Sequence, residues 1–133
     1  SFSGPEIFDN INVNQDISRE ENTSGMNLRV VGYDPAITLP ALEGVEENGK
    51  IVLRVKFRSS SATVAKIYYK DQSVQTYSVK MTLKSQVHIG ENDLLFLLPK
   101  GILLTAIRFD ISEEPGLYAL DEIAGKIVEL PYN

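Results

Sequence analysis

Lys50-Ile51-Val52-Leu53-Arg54-Val55-Lys56-Phe57-Arg58 alternates strictly: Ile51, Leu53, Val55 and Phe57 fall on one face of an extended chain, Val52, Arg54, Lys56 and Arg58 on the other. Successive side chains of a strand point to opposite faces, so this period-two pattern predicts a strand whose apolar set faces a core. The turn signal Glu47-Asn48-Gly49 precedes it and Ser59-Ser60-Ser61 breaks it. Thr63 to Lys70 repeats the scheme, with Ala65, Ile67 and Tyr69 inward and Val64, Lys66, Tyr68 and Lys70 outward. So does Thr76 to Lys84, with Tyr77, Val79, Met81 and Leu83 inward.

Outward from this block the chain continues as short strands between turn residues. On the N-terminal side, Glu6 to Val13 reads as a poorly alternating first strand. Polar Asn14 to Gly25 reads as an exposed loop, Met26 to Tyr33 as a strand ended by Asp34-Pro35, and Ile37 to Leu42 as an edge strand between prolines. On the C-terminal side, Leu94 to Leu98 is apolar on both faces, which predicts a central strand covered on both sides. Strands over 103–111, 117–123 and 126–130 follow, separated by Pro115-Gly116 and Gly125. No window longer than about 10 residues has helical period. Evenly punctuated short strands are the pattern of an all-β, antiparallel two-sheet β-sandwich with jelly-roll-like topology.

Composition agrees. Valine (11), isoleucine (12) and threonine (6) far outnumber alanine (7), and 133 residues suit one domain, read as residues 6–133 after a linker over residues 1–5. The start at Ser1, without methionine or a signal-like segment, reads as an excised domain of a larger protein. With no cysteine and one histidine, thiolate metal sites, cysteine nucleophiles and multi-histidine centres are excluded. No stretch approaches the ~18 apolar residues of a membrane span, so membrane insertion is not expected. The net charge of −5 disfavours nucleic acid, but it hides a segregation. Residues 1–49 carry −7, residues 50–108 +7 and residues 109–133 −5.

Ile107-Arg108-Phe109-Asp110-Ile111, then Glu114-Pro115-Gly116, then Leu120-Asp121-Glu122-Ile123, resembles the closing hairpin of galactose-binding-like jelly-roll modules. The resemblance spans about 17 residues, with Ile111 where many such modules have proline. It implies a non-catalytic carbohydrate-binding module, of a kind found beside glycosyltransferases of bacterial surface-polysaccharide assembly and cytoplasmic in that setting. It also implies a structural calcium near the junction of first and last strands. Asp9, Asp110, Asp121 and Glu122 are the carboxylates in those strands, and a hard cation takes such oxygen ligands. A hydrogen-bonded or exposed acidic corner is the competing reading, with Asp110 paired to Arg108 or capping the turn from Ser112 to Gly116. No cofactor is otherwise required.

A sugar site needs a flat ring for C–H faces and planar polar groups for hydroxyls. If the three central strands pair in sequence order, Arg54, Arg58, Lys66, Tyr68, Lys80 and Thr82 share one face and supply both. The basic excess suits an acidic or phosphorylated glycan; the ordinary reading is a solvated sheet face. The chain lacks tryptophan, so tyrosine must be the platform. The alternative function is a docking module that packs on its parent polypeptide or another subunit, which an exposed apolar patch would favour. His88 reads as a surface-turn residue. The pairs Glu20-Glu21, Glu46-Glu47 and Glu113-Glu114 read as solvated carboxylates, leaving no catalytic constellation.

Overall fold

The structure is a computed structural model that describes residues 11–21, 25–39, 49–70, 82–98 and 106–129. Among the described residues ten strands run in chain order: β1 (Asn12–Val13), β2 (Ile17–Glu21), β3 (Met26–Val30), β4 (Ile37–Leu39), β5 (Gly49–Ser59), β6 (Thr63–Lys70), β7 (Thr82–Val87), β8 (Gly90–Leu97), β9 (Ala106–Asp110) and β10 (Gly116–Glu129). They form two five-stranded antiparallel sheets, a front sheet of order β1-β4-β9-β6-β7 and a back sheet of order β2-β3-β10-β5-β8. This is the expected jelly-roll β-sandwich. No helix long and apolar enough to cross a membrane occurs among the described residues. The linker over residues 1–5, and the expected strand segments over 6–10 and 76–81, lie outside the described residues.

The period-two pattern acts as its physics requires. Ile51, Leu53, Val55 and Phe57 of β5 and Ala65, Ile67 and Tyr69 of β6 are all buried, and Leu83 lies partly buried against the same core. The sheets meet through aromatic edges: Phe109 of the front sheet contacts Phe57 (6.2 Å between centroids, 67° between planes) and Phe96 (6.4 Å, 65°) of the back sheet. Such edge-to-face geometry sets the positive rim of one ring against the negative face of another.

Four expectations are corrected. Leu94 to Leu98 is not covered on both faces. It belongs to β8, the outermost described strand of the back sheet, where Leu94, Phe96 and Leu98 are buried while Leu95 and Leu97 are 66% and 52% exposed. A doubly apolar run carries no sign of whether its second face is covered by protein or by water. Ile17–Glu21 is a strand, β2, and not loop: Ile17 anchors it in the core, and Ser18 and Glu20 lie on the exposed side of a strand whose ladder partner is β3. Residues 117–129 are one strand and not two, because Gly125 continues β10 opposite Leu53. Among the described residues the first and last strands are not neighbours either, since β1 pairs with β4 while β10 lies between β3 and β5.

Two polar residues in succession mark the irregularity in β10. Between buried Leu120 and Ile123, the register shifts at Asp121-Glu122, which places two residues where the pleat allows one. Both carboxylates then point outward, toward Arg58 (3.7 Å) and Lys56 (3.9 Å) of β5. Close by, Gly25 is held against β10 so tightly that a Cβ would collide with the Leu120 carbonyl oxygen. That oxygen is backbone and cannot rotate away. Gly25→Ala is therefore expected to cost about 1–3 kcal/mol, read as a lower urea midpoint at unchanged slope.

Candidate functional site

The outer face of the front sheet collects side chains from five strands. Cross-strand register sets Asn12 opposite Thr38, Thr38 opposite Arg108, Arg108 opposite Tyr68, and Tyr68 opposite Thr82, a continuous row across β1, β4, β9, β6 and β7. Beside it run Asp110, Lys66 and Lys84. Alternation leaves Ile107, Phe109, Ile67 and Tyr69 in the core beneath.

At the centre of the row, the Arg108 guanidinium lies 4.4 Å from the centroid of the Tyr68 ring. Its Nε and Nη2 each donate a 2.9 Å hydrogen bond to the Asp110 carboxylate. The fork and the ring together fix Arg108 in one orientation, so that phenol, guanidinium and carboxylate form a preorganised patch. Lys66 closes one side through an ion pair of 3.2 Å with Glu113, whose hydrogen bond holds the ammonium above the ordinary lysine value. The adjoining loops are latched together: Asn14 Nδ2 donates to the Asp34 carbonyl (2.8 Å), and the Asp34 N–H donates to Asp16 Oδ2 (3.0 Å). This sets the Asp34 charge near Arg108 and Asp110, and Tyr33 beside it is 77% exposed.

Asp110 is 6% exposed, and burial pushes its carboxyl above the usual carboxylate range against the opposing pull of Arg108. A carboxyl raised in the native state holds its proton more tightly folded than unfolded. Its contribution to stability therefore declines as pH rises from about 4 through the native value. Relative to Asp110→Asn, the wild-type chain should lose unfolding free energy over that rise, which paired urea titrations at several pH values would read. A difference that is flat with pH would show that the Arg108 fork cancels burial completely. Asp93 has the opposite sign: Arg54 holds it low, so its contribution is lost only as pH falls through its lowered value.

The topology divides the residues that the sequence suggests for sugar binding, because β5 and β6 do not pair with each other. Lys66, Tyr68 and Thr82 share the outer face of the front sheet, whereas Arg54 and Arg58 lie on the outer face of the back sheet. Lys80 lies outside the described residues. The expected single basic face is also neutralised. Arg54 makes a two-pronged bond to Asp93 (2.9 and 2.7 Å), Lys56 and Arg58 meet Glu122 and Asp121, and Arg108 and Lys66 meet Asp110 and Glu113. Acidic strands from the ends of the chain are interleaved with the basic middle.

The calcium set is divided as well. Asp110 faces out from the front sheet and Asp121 and Glu122 from the back sheet, while Asp9 lies outside the described residues. Among the described residues no group of three or more His, Cys, Asp or Glu side chains is placed to hold a metal. His88 is exposed in the β7–β8 turn, which the Asn92 side chain closes with bonds to the His88 N–H and to the carbonyls of His88 and Gly90. Gly90, at φ 98°, supplies the left-handed residue there.

Sequence reasoning missed Thr38, Arg108 and Tyr33 as members of the patch. Arg108-Phe109-Asp110 did carry a signal, since residues two apart on a strand share a face, but its adjacency to Tyr68 is a long-range pairing.

No family model matches the chain, and no curated protein matches it in sequence. Solved structures do resemble it. The enzymatically active domain of tailspike protein 4 of bacteriophage CBA120 aligns over 94% of this chain with a TM-score of 0.64 and 15% identity, and this chain spans only 21% of that one. CBM35 from Paenibacillus barcinonensis aligns over 95% of this chain and 98% of its own (TM-score 0.57, 13% identity). CsCBM6-3 from Clostridium stercorarium, solved in complex with cellobiose, aligns over 86% of each chain (TM-score 0.58, 11% identity). At such identities the likeness concerns backbone alone, and what it shows for this chain is the fold, the jelly-roll β-sandwich of carbohydrate-binding modules.

Proposed function

We propose that the protein is a non-catalytic carbohydrate-binding module that receives a neutral glycan on the outer face of the front sheet. The observation that carries this reading is the Tyr68–Arg108–Asp110 patch, an aromatic ring locked to a planar cation and a carboxylate in the middle of an open sheet. A sugar laid there finds C–H contact with the ring and hydroxyl partners in Arg108, Asp110, Thr38 and Thr82. The folds of CBM35 and CsCBM6-3, the latter in complex with cellobiose, support it. An acidic or phosphorylated ligand is less favoured than the basic middle block implies, because Arg108 and Lys66 at the centre of the patch already face carboxylates. A place in polysaccharide assembly rests on the C-terminal resemblance. Incubating the labelled chain with a glycan array tests the reading: retention on neutral oligosaccharides, persisting at raised salt, is expected. Retention only on acidic glycans, abolished by salt, would overturn the neutral assignment.

One observation favours the alternative, a docking module on its parent polypeptide. Leu95 and Leu97 stand exposed on β8 opposite Arg54 and half-buried Val52, an apolar strip at the rim of the back sheet. Under that reading Leu95→Asp with Leu97→Asp would release the module from its parent chain, and under the carbohydrate reading the same variant retains glycan.

A further inference from the structure

The back sheet carries a groove of about 450 Å3 on its outer face, remote from Tyr68 by the full thickness of the sandwich. Its geometry follows from register. One row sets Ser18, Arg29 and Leu117 side by side, and the next sets Glu20, Asn27, Ala119 and Arg58. Ala119 is the small residue between longer neighbours, so the surface dips there. Leu117, 52% exposed, gives the floor an apolar area flanked by polar groups.

The remainder of this face spends its charges on itself: Arg54 with Asp93, Lys56 with Glu122, Arg58 with Asp121. Glu20 and Arg29 depart from that habit. Both border the groove, both are exposed, and among the described residues neither is in an ion pair. An acceptor-only carboxylate and a five-donor guanidinium left in solvent beside an apolar floor match a ligand that offers both hydroxyl donors and acceptors and one C–H face. Their opposite charges cancel, which suits a neutral ligand. The volume is at the small end of ligand sites, fitting one or two sugar rings and not an extended chain.

We propose that this groove is a second saccharide site, taking a neutral mono- or disaccharide unit, with Glu20, Asn27, Arg29 and Arg58 as polar partners and Leu117 as the apolar contact for a C–H face. The ligand class rests on the carbohydrate-binding reading above, whereas the position of the groove does not. Two sites on opposite faces would let one module bridge two glycan chains.

The test is amide chemical-shift mapping on the whole chain with cellobiose, laminaribiose, lactose and maltose in turn. The expected result is saturable shifts at Ser18, Asn27, Arg29 and Leu117 with at least one of them. In the Glu20→Ala/Arg29→Ala variant these should weaken by about tenfold or more in affinity, while Tyr68→Ala leaves them intact. Both substitutions are on exposed side chains, so the fold should hold, and unchanged shifts elsewhere in the spectrum verify it. Shifts confined to Thr38, Tyr68 and Arg108 would overturn the second site and leave the front-sheet reading standing. Shifts at the groove alone would do the reverse. Groove shifts of equal affinity in the double variant would overturn the proposal, and no shifts with any of the four sugars would overturn both.

Discussion

Tyr68→Ala should lower the affinity for a neutral oligosaccharide retained on the array by about thirtyfold, roughly 2 kcal/mol, while leaving the chain folded. Two losses combine. The ring is the aromatic surface of the patch, and its removal takes the C–H contact away directly. It also helps to hold Arg108 in place, the guanidinium lying 4.4 Å from its centroid. Without it, Arg108 is less restrained and loses more conformational entropy on binding. Stability should change little, because Tyr68 is half-buried on the outer face and loses chiefly cross-strand contacts worth about 0.2–1 kcal/mol. Tyr68→Phe retains ring and cation contact and should bind within a fewfold of wild type. Calorimetric titration of the three chains reads this directly; equal affinities for all three would remove Tyr68 from the site.

Phe109→Ala should destabilise the domain by about 3–5 kcal/mol, a large part of the ~5–15 kcal/mol that holds such domains folded. Phe109 has no exposed surface and touches Phe57 and Phe96 across the interface between sheets. Truncation opens a cavity where the two sheets meet and removes two edge-to-face contacts, each worth about 0.5–1.5 kcal/mol beyond burial. The flanking Arg108 and Asp110 would sit on a loosened strand, so glycan binding should fall together with stability in this variant, unlike Tyr68→Ala. Urea unfolding followed by tyrosine fluorescence gives the value. A loss below about 1 kcal/mol would show that the core closes over the gap.

The fold was legible because burial in a sandwich is one-sided. Wherever one face met the core, as in 51–57 and 65–69, alternation named the inward residues. It failed where that logic gives no sign. Leu95 and Leu97 are apolar yet exposed, Ser18 and Glu20 are polar yet on a paired strand, and Gly125 continues a strand that it was expected to divide. The site was only half legible. Lys66, Tyr68 and Thr82 could be placed on one face by parity, but their real neighbours, Arg108 and Thr38, arrive from β9 and β4 by pairings of long sequence separation. In a jelly roll the strands after a crossover change sheets, so consecutive strands such as β5 and β6 part company. The same interleaving explains why a chain with a +7 middle block shows ion-paired faces: acidic Asp110, Asp121 and Glu122 come from the C-terminal segment to lie against basic β5 and β6.

The most direct test of the central claim, that the Tyr68–Arg108–Asp110 patch receives the sugar, is a crystal structure of the chain with a neutral oligosaccharide retained on the array. The expected result is a sugar ring against Tyr68 with hydroxyls bonded to Arg108 and Asp110. A ligand bound elsewhere on the molecule, with Tyr68, Arg108 and Asp110 untouched, would contradict it.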